Sequence, residues 1–311
     1  MTEHFTIFSG TANPDLAIAI ANQLGVRLGA CAVQRFPDGE ISVRLNEPVR
    51  GREVFILQPT SPPVNDHLIE LLAFADACRR AAASHITAII PYYGYARADK
   101  RHARREPITA SMVADLLQTV GVNHVVTVDM HAPQIEGFFR IPVDSLTALP
   151  VLAQALESHL PEGAVVVSPD AGRVKMATEF AHRLGTSVVV LHKRRASGVE
   201  TEVTHVVGDV RNRACVIVDD MISTGGTIAE SIAALRQAGA RPEISVAATH
   251  GLFVADAREK LSEAGVRKVT VTDSVGCSCA SWPALRVVSI APLLAGTIRR
   301  FMADGSLSDL Y

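Results

Sequence analysis

Neither a G-x-x-x-x-G-K-[ST] loop nor a G-x-G-x-x-G fingerprint occurs in the 311 residues, which excludes the two commonest backbone cradles for nucleotide phosphates. Any nucleotide is held some other way. The chain also lacks a strong charge of either sign: 30 Lys and Arg stand against 32 Asp and Glu, a net charge of −2. That balance argues against nucleic acid or an anionic membrane as partner, so phosphate binding has to be local. Cysteines are few, five in number at positions 31, 78, 215, 277 and 279. Being odd in number and without C-x-x-C spacing, they favour neither a disulfide framework nor a structural zinc site. No apolar run reaches the length of a membrane span, and the first residues show no basic segment leading into an apolar one. A cytoplasmic protein is expected. Nothing in the chain reads as low-complexity.

What is present is most informative at CVIVDDMISTGGTIAES, residues 215–231. Cys215 to Val218 form a continuous apolar run suited to a strand buried on both faces. Asp219 and Asp220 then emerge at its carboxyl edge, where open α/β sheets bind ligands. Thr224, Gly225, Gly226 and Thr227 can wrap a phosphate, since glycine lets backbone N–H groups converge and the following helix adds its positive end. The carboxylates suit hydroxyls. The combination fits a phosphorylated sugar, although a strand, an acidic turn and a capped helix would also satisfy the pattern.

Eight apolar runs alternate with helical patterns: EVFILQ, ITAIIP, HVVTVD, AVVVS, SVVVLH, CVIVD, ISVAATH and KVTVTD. Such alternation predicts parallel sheets covered by helices. Leu68, Leu71, Leu72 and Ala75 have the spacing of one buried helix face, as do Ile228, Ile232 and Leu235. At 311 residues two domains are expected. The segment IPVDSLTALP, bracketed by Pro142 and Pro150, is the candidate junction, giving domains of 1–146 and 147–311. A loose echo between VVTVDMHAPQIEGFF and AVVVSPDAGRVKMA hints at tandem related units.

Two further segments carry ligand chemistry. In residues 91–111, Arg97, Lys100, Arg101, His102, Arg104 and Arg105 cluster beside Tyr92, Tyr93 and Tyr95. That is enough positive charge for a triphosphate, although a charge run is usually a solvated face. Arg97 stands out because it follows the ITAIIP strand. RFPDGEISV, residues 35–43, reads equally as a ligand segment or as a hairpin with Asp38-Gly39 supplying the turn.

Taken together, FSGTANPDL, RFPDGEISV, VRGREVFILQPTSPPVND, YARADK, REPITA, VDMHAPQIEGFF, SPDAG, HKRR, VVGDV, VDDMISTGGT and SLSDLY occur in this order over almost the whole chain. The sequence thereby resembles the ribose-phosphate diphosphokinase family, the phosphoribosyl pyrophosphate synthetases. The resemblance implies an α/β fold of two tandem phosphoribosyltransferase-like domains, each a mainly parallel sheet flanked by helices. It implies ATP and ribose 5-phosphate as substrates, Mg²⁺ as cofactor, and a homo-oligomer, a hexamer built from dimers. The activity implied is transfer of the diphosphoryl group of ATP to the C1 hydroxyl of ribose 5-phosphate. Competing readings are a phosphoribosyltransferase and a catalytically silent partner subunit.

By resemblance, Lys193 and Arg195 are the catalytic basic pair, on a loop that closes over the phosphates. Phe36, Asp38, Gly39, Glu40, Arg97 and Ala98 correspond to ATP-binding positions, and His131 and Asp170 to positions around Mg²⁺. Arg195, Asp219, Asp220, Ser223, Thr224, Gly225, Gly226 and Thr227 correspond to the ribose 5-phosphate site. Arg50, Arg101, Ser306 and Ser308 match parts of an allosteric anion site, beside which Asp309 would disfavour phosphate. Several positions depart from the family pattern. Ser223 stands where Asp is common, Ala98 where Gln is usual, Arg173 and Met176 interrupt SPDAGGVKRA, and no P-x-P-N follows HKRR. These departures put nucleotide preference and regulation in question more than chemistry.

Overall fold

The computed structural model describes residues 5–101, 103–157, 159–195, 201–276, 281–308 and 310, without the side chains of 193–195 and 201–204. The chain forms two compact units: residues 1–147 with 274–276 and 289–311, and residues 148–273 with 277–288.

In the first unit, β1 (Phe5–Ser9), β4 (Glu53–Leu57), β5 (His85–Ile90), β6 (His124–Val128) and β7 (Val143–Leu146) make a parallel sheet in the order β1-β4-β5-β6-β7. A separate antiparallel hairpin pairs β2 (Cys31–Arg35) with β3 (Ile41–Leu45). Three helices connect these strands: α1 (Pro14–Leu24), α2 (Val64–Arg80) and α3 (Thr109–Val120). Asn13 starts α1 by accepting the Leu16 N–H at 3.2 Å, and Pro14 supplies a preset φ with no N–H to leave orphaned. Leu68, Leu71 and Ala75 are buried on α2 as their spacing predicts, with Leu72 packed at the margin. They join Phe8, Val54, Ile56 and Val113 in one core. The opposite face of β4 carries Phe55, which the pleat directs the other way.

The second unit holds β8 (Val165–Ser168), β9 (Ser187–Arg195), β10 (Thr201–Val207), β11 (Cys215–Ile222), β12 (Ile244–Gly251), β13 (Lys268–Thr272) and β14 (Leu285–Val288). Their order is β10-β9-β8-β11-β12-β13-β14, parallel except where β10 runs against β9. Helices α4 (Leu149–Glu157) and α5 (Val174–Leu184) cover one face through Leu152, Ala177 and Phe180. Helices α6 (Gly226–Gln237) and α7 (Ala257–Glu263) cover the other through Ile228, Ile232, Leu235 and Leu261. Burial on both faces explains the unbroken apolar runs of β8 and β11. The chain then returns to the first unit, where α8 (Ala291–Phe301) packs on α1 and Phe301 stacks on Phe55 at 6.4 Å between ring centres.

All eight apolar runs are strands, and each unit is a mainly parallel sheet flanked by helices, as expected. Among the described residues no helix is long and apolar enough to cross a membrane. The packing predicts that Phe180→Ala, at a side chain 1% exposed, costs about 3–5 kcal/mol. Urea denaturation followed by circular dichroism checks this; a loss below about 1 kcal/mol would show that α5 is not sealed to the sheet.

Candidate active site

The acidic segment of residues 215–231 sits where β11 outruns its neighbour. Pairing of β11 with β8 ends at Val167 and Ile217, whereas pairing with β12 continues to Ile222 and Gly251. Asp219 and Asp220 therefore lie within β11, beyond the last β8 partner, rather than just after the strand. On that side the polypeptide leaving β8 turns across the sheet edge. Asp170 caps this turn: its Oδ1 accepts the N–H groups of Gly172 at 2.8 Å and Arg173 at 3.1 Å. The buried Ser168 hydroxyl donates to the Asp170 carbonyl at 2.7 Å. The capped turn, Ala171–Arg173, leads directly into α5.

Arg173 projects from that turn onto the acidic pair. Its Nε lies 3.1 Å from Asp219 Oδ1 and its Nη2 3.0 Å from Asp220 Oδ2. The three side chains are 17%, 14% and 3% exposed for Arg173, Asp219 and Asp220. Asp219 Oδ1 also accepts the Asp220 N–H at 2.9 Å. Burial pushes the Asp219 carboxyl well above the usual carboxylate range, the adjacent Asp220 adds to the rise, and Arg173 opposes it.

After Ile222 the chain bends through Ser223, Thr224 and Gly225 and enters α6 at Gly226. Gly225 has φ +76°, and a Cβ there would sit 3.2 Å from the Ala257 carbonyl. No side chain caps α6. The turn is held by backbone instead, with Leu252 and Phe253 N–H groups donating to the Ile222 carbonyl and Val254 N–H to that of Ser223. Thr224 and Thr227 are exposed. A fixed turn of this kind offers backbone donors and a helix dipole to an anion.

The described backbone places Lys193 and Arg195 in β9, opposite Val203 and Thr201 of β10, rather than in a loop. Their side chains and residues 196–200 lie outside the described residues, as do His102, Cys277, Cys279 and Asp309.

In the first unit, Phe36–Glu40 form the tip between β2 and β3. Phe36 N–H donates to the Glu40 carbonyl at 2.8 Å, and Gly39 N–H to the Phe36 carbonyl at 2.9 Å. Asp38 Oδ1 accepts the Glu40 N–H at 3.0 Å, and Gly39 takes φ +95°. The tip presents the Phe36 ring 48% exposed. At the base of the hairpin, Arg35 pairs with Asp66 of α2 at 2.6 Å. RFPDGE is thus a hairpin turn whose geometry also displays an aromatic ring.

Beyond β5, Gly94 N–H donates to Thr60 Oγ1 at 2.6 Å and Tyr93 Oη to the Ala110 carbonyl at 3.1 Å. These bonds fix the segment carrying Arg97, which is exposed, and Ala98, whose N–H donates to the Tyr95 carbonyl. Lys100, Arg101, Arg104 and Arg105 are also exposed. After β6, Asp129 adopts φ +42° and is braced by the Thr147 hydroxyl at 2.8 Å, which leads the chain to a half-buried His131. Arg50 is exposed on a turn, and the Ser306 and Ser308 hydroxyls lie 2.8 Å apart.

Two features were not foreseen from sequence. One is the Arg173 clamp, signalled only by the departure from SPDAGG. The other is the loop after β1, where Glu70 of α2 accepts Thr11 N–H and Oγ1 at 2.6 Å each and Gln58 accepts Ala12 N–H at 3.1 Å. Burial raises the Cys31 thiol and pushes Cys78 up to about 12 and Cys215 to about 11. These thiols are free and stay protonated near neutral pH.

A family model described as the N-terminal domain of ribose phosphate pyrophosphokinase matches residues 5–121, and one described as the phosphoribosyl synthetase-associated domain matches 198–311. The chain is 46% identical over 313 residues to the ribose-phosphate pyrophosphokinase of Corynebacterium efficiens, covering 99% of this chain and 96% of that one. Against the enzyme of the same name from Thermotoga maritima, identity is 46% over 309 residues, covering 98% and 97%. The crystal structure of phosphoribosylpyrophosphate synthetase from Mycobacterium smegmatis matches with a TM-score of 0.91 and 44% identity, over 97% of this chain and 100% of that one. With nearly full-length similarity at this level, and the acidic strand end and glycine turn in place, the chain belongs to the ribose-phosphate pyrophosphokinase family.

Proposed function

We propose that the chain makes phosphoribosyl pyrophosphate and AMP from ribose 5-phosphate and ATP. The observation that carries this reading is the largely buried acidic pair of β11 followed by the Gly225 turn and the start of α6. In the proposed step the C1 hydroxyl oxygen bonds to the β-phosphorus, the bond from that phosphorus to the α,β-bridging oxygen breaks, and AMP leaves with the bridging oxygen. The hydroxyl proton passes to solvent. No protein nucleophile is needed, because in-line placement and neutralisation of charge do the work.

Each group then has a task. Asp219 and Asp220 accept the ribose hydroxyls, and the backbone of Ser223 to Thr227 binds the 5-phosphate. The Phe36 ring stacks on adenine, with Asp38, Gly39 and Glu40 shaping the tip, and Arg97 and Ala98 lie along the nucleotide. Lys193 and Arg195 neutralise the charge spreading over the transferring phosphates, the Lys as a point charge and the Arg as a fork that also reaches the sugar phosphate.

Asp170 and His131 are the residues proposed to lie near Mg²⁺. Among the described residues no group of three or more His, Cys, Asp or Glu could hold a metal alone. Isolated donors suit Mg²⁺, which keeps several waters and takes substrate phosphate oxygens with one or two protein ligands. Bound there, the ion would neutralise triphosphate charge. A homo-oligomer, hexameric and cytoplasmic, completes the proposal, with Arg50, Arg101, Ser306 and Ser308 as candidates for an anion-binding regulatory site; size-exclusion chromatography with light scattering tests the assembly.

A coupled assay should detect AMP that requires both ATP and ribose 5-phosphate. Base-dependent release of pyrophosphate from phosphoribosyl pyrophosphate, without AMP formation, would instead identify a phosphoribosyltransferase. Lys193→Ala is expected to lower kcat by about 10²–10³-fold with little change in KM for ribose 5-phosphate, as for loss of a group acting on transition-state charge; near-normal turnover would remove Lys193 from the chemistry.

The raised Asp219 carboxyl also sets a pH dependence. Because the folded protein holds that proton more tightly than the unfolded chain, the contribution to stability is complete below the ordinary carboxylate pKa of about 4 and is lost as pH rises through the elevated value. The stability of Asp219→Asn relative to wild type should therefore increase with pH above about 4. Urea titrations at a series of pH values would show a flat difference if Asp219 were as easily ionised as in water.

A further inference from the structure

The acidic pair that the proposed function assigns to ribose hydroxyls already has a cation. Arg173 reaches one oxygen of each carboxylate, at 3.1 and 3.0 Å, and all three side chains are largely buried. The position of the guanidinium is set locally. The Asp170 cap fixes the Arg173 N–H at 3.1 Å, and α5 begins at the next residue, so the side chain leaves a turn that cannot easily rotate away. In the family pattern that the sequence resembles, this place is held by glycine, which offers no side-chain charge and no side-chain donor. Two adjacent carboxylates at a buried strand end would then face each other without this partner, and such a pair needs either a proton or a cation.

We infer that Arg173 is a positioning residue for the sugar half-site, a tethered cation that offsets negative charge at Asp219 and Asp220 and orients the two carboxyls without a divalent metal at that pair. The inference rests on the reading that the pair binds ribose hydroxyls. The guanidinium meets Oδ1 of Asp219 and Oδ2 of Asp220, and so fixes how the pair is presented to sugar hydroxyls. The arrangement also has a fixed direction: the fork of Arg173 enforces one relative orientation of the two carboxylates, as a mobile ion would not. Removal of Arg173 leaves a charge deficit that a soluble divalent cation can fill.

The experiment compares wild type with Arg173→Gly, Arg173→Met and Arg173→Lys as full-length chains. Thermal unfolding is followed without nucleotide or sugar, first in EDTA and then with Mn²⁺ or Mg²⁺. Arg173→Gly and Arg173→Met should unfold at lower temperature in EDTA and recover with added cation, whereas wild type and Arg173→Lys should respond little. In turnover assays with ATP kept saturated as its magnesium complex, KM for ribose 5-phosphate should fall by about tenfold with rising free Mg²⁺ in Arg173→Gly and stay level in wild type. Arg173→Met separates lost charge from the backbone freedom of glycine. Equal cation responses in wild type and both neutral variants would overturn the role of Arg173, as would neutral variants that are as stable in EDTA as wild type. Failure of wild type to form AMP at all would instead overturn the proposed function, and the cation responses without substrate keep the two failures apart.

Discussion

Two carboxylates adjacent in sequence cannot be buried at the end of a strand unless something answers their charge. Asp220 is 3% exposed and Asp219 14%, and the repulsion between them adds to the cost of leaving water. The second unit is arranged around that constraint. The end of β8 stops short, the turn after it is capped by Asp170, and the cap delivers Arg173 onto both carboxylates. On the other side β12 continues to support β11 to its last residue. Sheet register, turn and ion triplet are thus parts of one solution, and a shift of β8 by two residues would cover the edge where the carboxylates lie.

The two proposed half-sites would divide the work between backbone and side chain. In the second unit the proposed anion-facing element is a backbone turn, fixed by donors from 252–254 to the carbonyls of Ile222 and Ser223 and opened by the left-handed Gly225. Rigid N–H groups serve a phosphate well because no rotamer entropy is lost when it binds. In the first unit the hairpin tip displays Phe36, while Arg97 and the exposed arginines that follow supply charge from flexible side chains. That contrast suits ligands of different character, a small sugar phosphate held tightly and a long triphosphate followed along its length.

Much of the fold was legible because buried parallel strands demand continuous apolar runs, and all eight such runs are strands. Others escaped notice for physical reasons. β14 pairs at a sheet edge and is mostly half-buried, β7 is four residues long, and β10 is an antiparallel addition with polar residues. At the proposed site, the strand placement of Asp219 and Asp220 and the turn at Gly225 were legible from the apolar run and the glycines that follow it. The site was illegible where the chain compensates its own choices. Arg173 was visible as a departure from a familiar string, but the string does not say that the side chain reaches across to β11. The Glu70 and Gln58 braces of the β1 loop depend on tertiary approach over 59 and 46 residues of sequence and have no local signature.

The central claim is that the strand end and turn of the second unit form a single receptor for a phosphorylated sugar. A crystal structure of the chain with ribose 5-phosphate tests it most directly. The account predicts the ring hydroxyls within hydrogen-bond distance of Asp219 and Asp220 and the 5-phosphate seated on the N–H groups of Thr224 to Thr227. A sugar phosphate bound with those carboxylates and that turn untouched would contradict it.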